Sequence, residues 1–377
     1  MRHSSLIAAA LLTPAALATP PPTALAAPSP AALAAPTLAV GVTQGHAAAA
    51  PAHAVTAAPA HAALAAQTPA AIAAQAHLWG AQPVARAAWV KSCYDKKRQD
   101  TDPCGSWRLS LRDGRQVTVR AAAARGVDGK GRRAHHAGTF AVSGDGSVIL
   151  YERARDHRLV VQPVAGGPPT TLPRSARPAG IGSDELAVRL SPSGDRVLID
   201  YYDDEGRLPT KVVTVATGET ATLPATYGVL GFSADGGEVL ATRQMDDNTT
   251  ALYALGPGDD SIRSTPPQVV VNAAAWALAA DGTTVAVLVQ GDKARIRTYD
   301  LATGELSEGV DVPVGRELSP SSAWWEGSRL RVTYAKTADV GNSAVIRVLT
   351  VGPGHGLVTQ DETYKIGKNY TFAVAGE

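Results

Sequence analysis

From Trp107 onward, short apolar runs alternate with clusters of turn-forming residues. The runs are rich in Val, Ile, Leu, Thr and Tyr, and Gly, Asp and Pro separate them. Both features are typical of β-strands joined by tight turns, and no stretch keeps a helical period long enough to predict an α-helix. Short strands at even spacing predict an all-β domain, which is a sandwich, a barrel or a propeller.

One unit of this pattern occurs five times. It consists of an apolar strand, a turn ending in Gly and a second apolar strand, as in Phe140–Tyr151, and a third strand and often a fourth follow it. The turn glycines are Gly146, Gly194, Gly236, Gly282 and Gly327. Four strands in about 45 residues make one blade of a β-propeller. The repeat therefore predicts five complete blades.

The two ends of the repeat region predict a sixth blade. Residues Trp107–Val119 contain two strands and a turn with no first strand before them, and Tyr370–Gly376 echoes Gly138–Gly144, which opens the first complete blade. We therefore expect the last strand to be the innermost strand of a composite blade, with Ala88–Tyr94 as its second strand. The predicted fold is an all-β, six-bladed propeller with five full blades plus one composite blade closed by N- and C-terminal strands. Such closure removes the open sheet edges that an unclosed blade would otherwise expose to aggregation.

The turn motif resembles that of a known family. The pattern Ser-x-Asp-Gly-x-x-Val-Leu, followed by x-Tyr-Asp-Leu-x-x-Gly, looks like the WD-like repeat of TolB-like six-bladed propellers, and the likeness covers Trp107–Glu377. The family's Pro after Ser survives only as Pro192, Glu326 replaces the turn Asp in the fifth copy, and the fourth and fifth copies lack the Ser. Some propellers of this type carry a serine peptidase domain. The nearest match to the Gly-x-Ser-x-Gly elbow of such a domain, Gly231–Asp235, lacks the last Gly, so the resemblance implies a propeller without an appended catalytic domain.

The N-terminal part of the chain has a different composition. Between Arg2 and Arg86 there is no Asp, Glu, Lys or Arg, and Ala and Pro dominate. The apolar run Leu6–Leu12 precedes small-residue cleavage sites at Ala18 and Ala26, which indicates an export signal, and the run is too short to span a bilayer. An Ala-rich tail without signal function is the alternative. We predict a secreted or cell-envelope-associated protein, not an integral membrane protein, with a signal peptide at 1–26, a disordered Ala/Pro-rich linker at 27–85 and the propeller at 86–377.

Charge and cysteine content narrow the function classes. The formal net charge is +1, whereas nucleic acids and anionic lipids require a basic surface, so we expect no nucleic-acid partner. Cys93 and Cys104 are the two cysteines, and in an oxidising compartment they most simply form one disulfide. Two unrelated free thiols are the alternative, and two thiols cannot complete a structural zinc site.

Charged residues cluster between the second and third strands of the blades. In a propeller these connections surround one mouth of the central channel, so we expect a charged rim that receives a partner, although each cluster is also typical of a solvated turn. His135 and His136 fit a solvated loop pair better than metal ligands, and Trp324 and Trp325 fit the core better than an exposed platform. The candidate rim residues are Arg153, Arg155, Asp156, Asp203, Asp204, Glu205, Asp246, Asp247, Asp292 and Lys293.

These observations favour an exported, non-enzymatic binding or scaffold module that presents its charged rim to a protein or a cell-envelope glycan. We expect a monomer without a cofactor and leave metal binding open. The alternative is an extracellular hydrolase or lyase, acting on a sugar or lactone, with its active site at the channel mouth. That site would need converging carboxylates, histidines or a metal. A cell-surface structural protein with residues 19–85 as a stalk is a third possibility.

Overall fold

The computed structural model of the chain describes residues 82–202, 208–256, 261–291, 293–315, 317–336, 343–352, 357–367 and 370–377. The predicted signal peptide and nearly all of the predicted linker lie outside these ranges. Within them, no helix is long and apolar enough to cross a membrane.

The described residues form short strands, one 3₁₀ turn at Arg174–Ala176 and one helical turn, α1, at Gln268–Val271. The strands in chain order are β1 (Ala85–Asp95), β2 (Asp100–Leu111), β3 (Gln116–Val119), β4 (Arg125–Val127), β5 (Arg133–Ala137), β6 (Phe140–Val142), β7 (Val148–Glu152), β8 (Leu159–Pro163), β9 (Thr170–Thr171), β10 (Leu186–Leu190), β11 (Arg196–Tyr201), β12 (Thr210–Thr214), β13 (Thr220–Leu223), β14 (Gly228–Phe232), β15 (Val239–Gln244), β16 (Thr250–Leu255), β17 (Ser261–Ser264), β18 (Ala275–Leu278), β19 (Thr284–Val289), β20 (Arg295–Asp300), β21 (Val310–Asp311), β22 (Ser319–Glu326), β23 (Arg329–Lys336), β24 (Ala344–Val351), β25 (Val358–Ile366) and β26 (Tyr370–Val374).

These strands build the six-bladed propeller that the repeat predicts. Blades 1 to 5 are the four-stranded sheets β6–β9, β10–β13, β14–β17, β18–β21 and β22–β25, each made from consecutive antiparallel strands. The sixth, composite blade has the order β26-β1-β2-β3, so the last strand of the chain pairs with the first. Its register places Ala87 opposite Val374 and Trp89 opposite Phe372. The composite blade and its second strand are therefore confirmed.

The innermost strands of the blades share one direction. Parallel bridges join Val142 to Ala375 and Ser233 to Leu278, at the ends of innermost strands in neighbouring blades. Because the strands within a blade are antiparallel, every turn from first to second strand lies at one end of the ring. Every connection from second to third strand, and from one blade to the next, lies at the opposite end. We call these the turn end and the rim face.

The repeated Ser of the turn motif has a structural role. Ser143 is completely buried, as are its counterparts Ser191 and Ser233. The Ser143 hydroxyl donates to Asp145 Oδ1 at 2.6 Å and accepts from the Val148 amide at 3.0 Å. Gly146 follows with φ +75°, and a Cβ there would lie 2.1 Å from the Ala85 carbonyl oxygen of the neighbouring blade. The motif thus closes a turn and docks it on the next blade.

The core lies between blades, where apolar faces of neighbouring sheets pack together. The two adjacent tryptophans are part of it, as expected. Trp324 is 8% exposed, and the Trp325 indole donates to the Ala277 carbonyl of blade 4 at 3.0 Å. Both side chains therefore stabilise the ring, and neither forms an exposed platform.

One hairpin lies outside the blade repeat. Strands β4 and β5 form a separate two-stranded sheet between the composite blade and blade 1. It belongs to a blade-to-blade connection, so it lies on the rim face. The sequence pattern did not predict it.

Candidate binding face

The described rim candidates all lie on the rim face. Arg153, Arg155 and Asp156 occupy the connection from β7 to β8, Asp246 and Asp247 the connection from β15 to β16, and Lys293 the connection from β19 to β20. Asp203, Asp204, Glu205 and Asp292 lie outside the described residues. The placement follows from the strand order, and the binding role of these residues remains a prediction.

Several of these charges are engaged in their own turns. Arg153 Nε and Nη2 donate to the two Asp156 oxygens at 2.8 and 2.6 Å, and this pairing lowers the pKa of Asp156 to about 2. Asp247 accepts from the hydroxyl and amide of Thr249, which lowers the pKa of Asp247. Arg155 Nε lies 3.9 Å from Asp156 Oδ2, at the limit of an ion pair, and the Arg155 side chain stays 74% exposed. The rim charges therefore divide into turn-stabilising pairs and exposed groups that are accessible to a partner.

A disulfide-linked hairpin projects on the same face. Strands β1 and β2 are the second and third strands of the composite blade, so their connection belongs to the rim face. Cys93 and Cys104 form the disulfide between them, with Cα atoms 5.8 Å apart. Tyr94 follows Cys93 and is 62% exposed. The disulfide predicted from the sequence thus joins the two strands next to an exposed aromatic side chain.

A buried carboxylate links this hairpin to the β4–β5 hairpin. Asp102 in β2 is 5% exposed and accepts from Arg98 Nη1 at 2.7 and 2.9 Å. Arg125 in β4 approaches it at 3.0 Å, and His135 in β5 at 3.2 Å. Burial raises the pKa of Asp102, but the hydrogen bond from Arg98 and the charge of Arg125 outweigh burial and hold the pKa below its usual value. Charge pairing therefore ties the two hairpins together.

The adjacent histidines are in a strand, not in the loop that was predicted. His135 and His136 belong to β5, where neighbouring side chains point to opposite faces. His135 accordingly contacts Asp102, whereas His136 Nε2 lies 3.2 Å from Asp184 Oδ1. Within the described ranges, no three His, Cys, Asp or Glu side chains converge as a metal site would require.

The β4–β5 hairpin forms one wall of a cleft on the rim face, which we call the hairpin cleft. The hairpin cleft has a volume of about 670 Å³, within the usual range of small-molecule sites. The connection from β9 to β10 forms the opposite wall, and the connection from β7 to β8 contributes Asp156, His157 and Arg158. A cavity of about 170 Å³, lined by innermost strands and Trp324, lies nearer the ring axis.

A buried carboxylate lies beside the hairpin cleft. Glu152, the last residue of β7, is 0% exposed, and its Oε1 is 2.7 Å from His157 Nδ1 and 3.2 Å from Arg177 Nη1. Its Oε2 accepts from the Ser183 hydroxyl at 2.6 Å. Because a buried carboxylate requires partners, these contacts fix the imidazole and the guanidinium in place. Sequence reasoning missed this cluster, and its one signal in the pattern is a Glu at the end of the otherwise apolar strand β7.

Comparisons with protein-family models and with curated proteins give no match. Among solved structures, the chain is similar to TolB from Acinetobacter baumannii, at 17% identity over 82% of this chain and 71% of that one, with a TM-score of 0.45. A putative TolB from Agrobacterium tumefaciens matches at 13% identity over 76% and 91%, with a TM-score of 0.43.

Peptidases are also among the similar structures. Acylaminoacyl peptidase from Pyrococcus horikoshii matches at 11% identity over 74% of this chain and 44% of that one, with a TM-score of 0.39. The six-bladed architecture rests on this chain's own strand order, and these likenesses assign it no partner or activity.

Proposed function

We propose that this protein is an exported, non-enzymatic binding module whose rim face contacts a partner protein outside the cytoplasm. The observation that carries the proposal is the disulfide-linked β1–β2 hairpin, which presents Tyr94 on the rim face. A disulfide persists in oxidising compartments, which supports export. Residues 1–26 then act as the signal peptide and residues 27–85 as the linker.

Exposed tyrosines favour a protein partner. Tyr202 lies in the connection from β11 to β12, and Tyr94 lies near the end of β1 next to the connection to β2, so both residues are on the rim face. Their side chains are 66% and 62% exposed. Tyr and Arg are enriched among the residues that dominate binding energy at protein interfaces, and Arg155 on this face is largely exposed. Leu357 lies at the turn end and is 66% exposed. A substitution there is therefore a control for the loss of an exposed side chain at the opposite end of the ring.

The test is capture from the native cell envelope with matched variants. We expect the wild type and Leu357→Ser to retain one protein that the double variant Tyr94→Ser/Tyr202→Ser loses, with unchanged melting temperatures. Equal capture by all three proteins contradicts the proposal. A captured species released by glycosidase instead of protease shows a glycan partner. Mass spectrometry of the secreted protein tests export, and we expect it to begin after Ala18 or Ala26.

The Glu152–His157 pair favours a second candidate function, a hydrolase or lyase at the hairpin cleft. A carboxylate at Nδ1 orients an imidazole so that Nε2 can accept a proton from a substrate, and His157 lines the cleft. The measurement is turnover of lactones and uronate oligosaccharides by the wild type and by His157→Gln. Turnover that His157→Gln abolishes supports an enzyme, and its absence across the panel leaves the binding module.

A further inference from the structure

We propose that the hairpin cleft binds a small organic anion, whose charged oxygen group contacts Arg174 and His157 and whose apolar body packs against Leu172, Pro173 and Ile181. This site is distinct from the partner-protein contacts at Tyr94 and Tyr202, and it does not depend on them. The charged group is a carboxylate or a phosphate monoester, since a guanidinium binds either through paired hydrogen bonds.

The charges of the cleft are unequally paired. Both acidic residues that line it have cationic partners: Asp156 pairs with Arg153 at 2.6 Å and Asp128 with Arg132 at 2.7 Å. Arg174, by contrast, is exposed and makes no side-chain hydrogen bond or ion pair with the residues that the structure describes. The cleft therefore contains an uncompensated positive charge, which an anion would neutralise.

His157 adds a second polar group at a fixed position. Its Nδ1 is 2.7 Å from Glu152 Oε1, and its φ of +53° is held by this contact and by the hydrogen bond from Arg177 Nη1 to its carbonyl oxygen at 3.2 Å. The side chain is 36% exposed and lines the cleft. With Nδ1 engaged by a carboxylate, a protonated imidazole has only Nε2–H left to donate to an anion.

The walls of the cleft are fixed before a ligand arrives. The Ser183 amide donates to the Val127 carbonyl at 2.8 Å, and the Val127 amide donates to the Ser183 hydroxyl at 2.9 Å. A Cβ on Gly129 would lie 2.1 Å from the Gly180 carbonyl oxygen, so the two walls touch directly. Preformed walls reduce the ordering cost of binding.

The apolar part of the cleft defines the rest of the ligand. Leu172 is 2% exposed, and Pro173 and Ile181 are half-buried. All three line the same cleft as Arg174. Small-molecule sites typically combine such an apolar lining with a few polar groups that fix orientation. A short alkyl acid therefore fits the chemistry better than a bare inorganic ion.

The experiment compares hexanoate, hexyl phosphate and hexanol by ligand-observed NMR titration of the full-length protein. The three probes share an alkyl chain and differ in the head group. We expect either or both anions to bind and hexanol to bind at least about tenfold more weakly, the loss of one charge-assisted hydrogen bond. The stronger of the two anions identifies the head group.

Matched variants locate the site. Arg174→Gln should weaken anion binding about tenfold, whereas Lys293→Gln, which removes an exposed cation from the rim face at blade 4, outside the cleft lining, should stay within about twofold of wild type. Equal binding of hexanol, no binding of either anion, or an Arg174→Gln affinity within twofold of wild type overturns the proposal. The capture experiment with Tyr94 and Tyr202 reads out the partner protein separately, so either proposal can fail alone.

Discussion

Closure of the ring by the last strand can be tested at Val374. This side chain is 1% exposed and packs with Ala87, Ile346 and Tyr364 between blade 5 and the composite blade. Val374→Ala removes two methyl-sized groups at about 0.8 kcal/mol each, and the cavity left behind adds to that loss. We expect the free energy of unfolding to fall by about 2–3 kcal/mol, a large share of the 5–15 kcal/mol typical of domains.

The assay is urea denaturation followed by tryptophan fluorescence, with the disulfide intact. Thr371→Ala in the same strand is the control, because Thr371 is exposed and surface substitutions usually change stability by less than about 0.5 kcal/mol. Deleting Tyr370–Glu377 should be far more damaging, since it leaves the backbone groups of β1 that pair with β26 without hydrogen-bond partners. If Val374→Ala matches Thr371→Ala and the deletion stays soluble and stable, the composite blade is wrong.

Three further predictions concern the rim face and the ring axis. Replacing Cys93 and Cys104 with Ser should lower stability by about 2–3 kcal/mol, measured by denaturation, because the disulfide no longer constrains the unfolded chain. Gly144→Ala should destabilise by about 1–3 kcal/mol, since the new Cβ would lie 2.9 Å from Trp324 Cδ1. Asp156→Asn should lower stability at pH 5 by at most about 1 kcal/mol, because the ion pair is partly exposed.

The loss of stability caused by Asp156→Asn should depend on pH. The carboxyl has a pKa of about 2 in the folded protein and about 3.9 when unfolded. Its contribution is therefore complete above about pH 4 and is lost as the pH falls through about 2, so wild type and variant should converge there. Asp246→Asn is the control for a lost rim carboxylate. If the difference in free energy of unfolding between wild type and Asp156→Asn stays constant from pH 5 to pH 2, the lowered pKa of Asp156 is wrong.

The disulfide and Gly144→Ala predictions can each be contradicted by one measurement. Intact mass showing two free thiols in secreted wild-type protein contradicts the disulfide. For Gly144→Ala, the control is Gly291→Ala, whose added Cβ would meet its nearest neighbour, the Lys293 carbonyl oxygen, at an ordinary 3.8 Å. Equal stability of the two variants would show that Trp324 does not pack on Gly144.

The blades were predictable because their turn is chemically demanding. A buried Ser that closes the turn and a Gly at φ +75° leave a repeating signature in the sequence, as Ser143 and Gly146 show. The composite blade was predictable from its innermost strand instead, since Tyr370–Gly376 repeats the strand that opens blade 1. Val374 and Phe372 share one face as the two-residue period requires, although Val374 is the more deeply buried.

The hairpin cleft was not predictable from pattern. Strands β4 and β5 occur once, so no repeat reveals them, and His135–His136 resemble a polar loop until Asp102 and Asp184 are placed beside them. Glu152, Arg177 and Ser183 are separated in sequence and meet only through blade packing. Strand order alone determines that the connection with Arg153 and Asp156 lies on the rim face, and the binding role of these residues stays a prediction.

We propose that the rim face, not the turn end, contacts the partner. The most direct measurement places a photo-crosslinking amino acid at Tyr94 or at Leu357 in the protein expressed in its native cells. Both positions are strongly exposed, at 62% and 66%, so the crosslinking group is equally accessible to a partner at either one. We predict one defined adduct from position 94 and none from position 357. The same adduct from both positions, or an adduct from position 357 alone, contradicts the account.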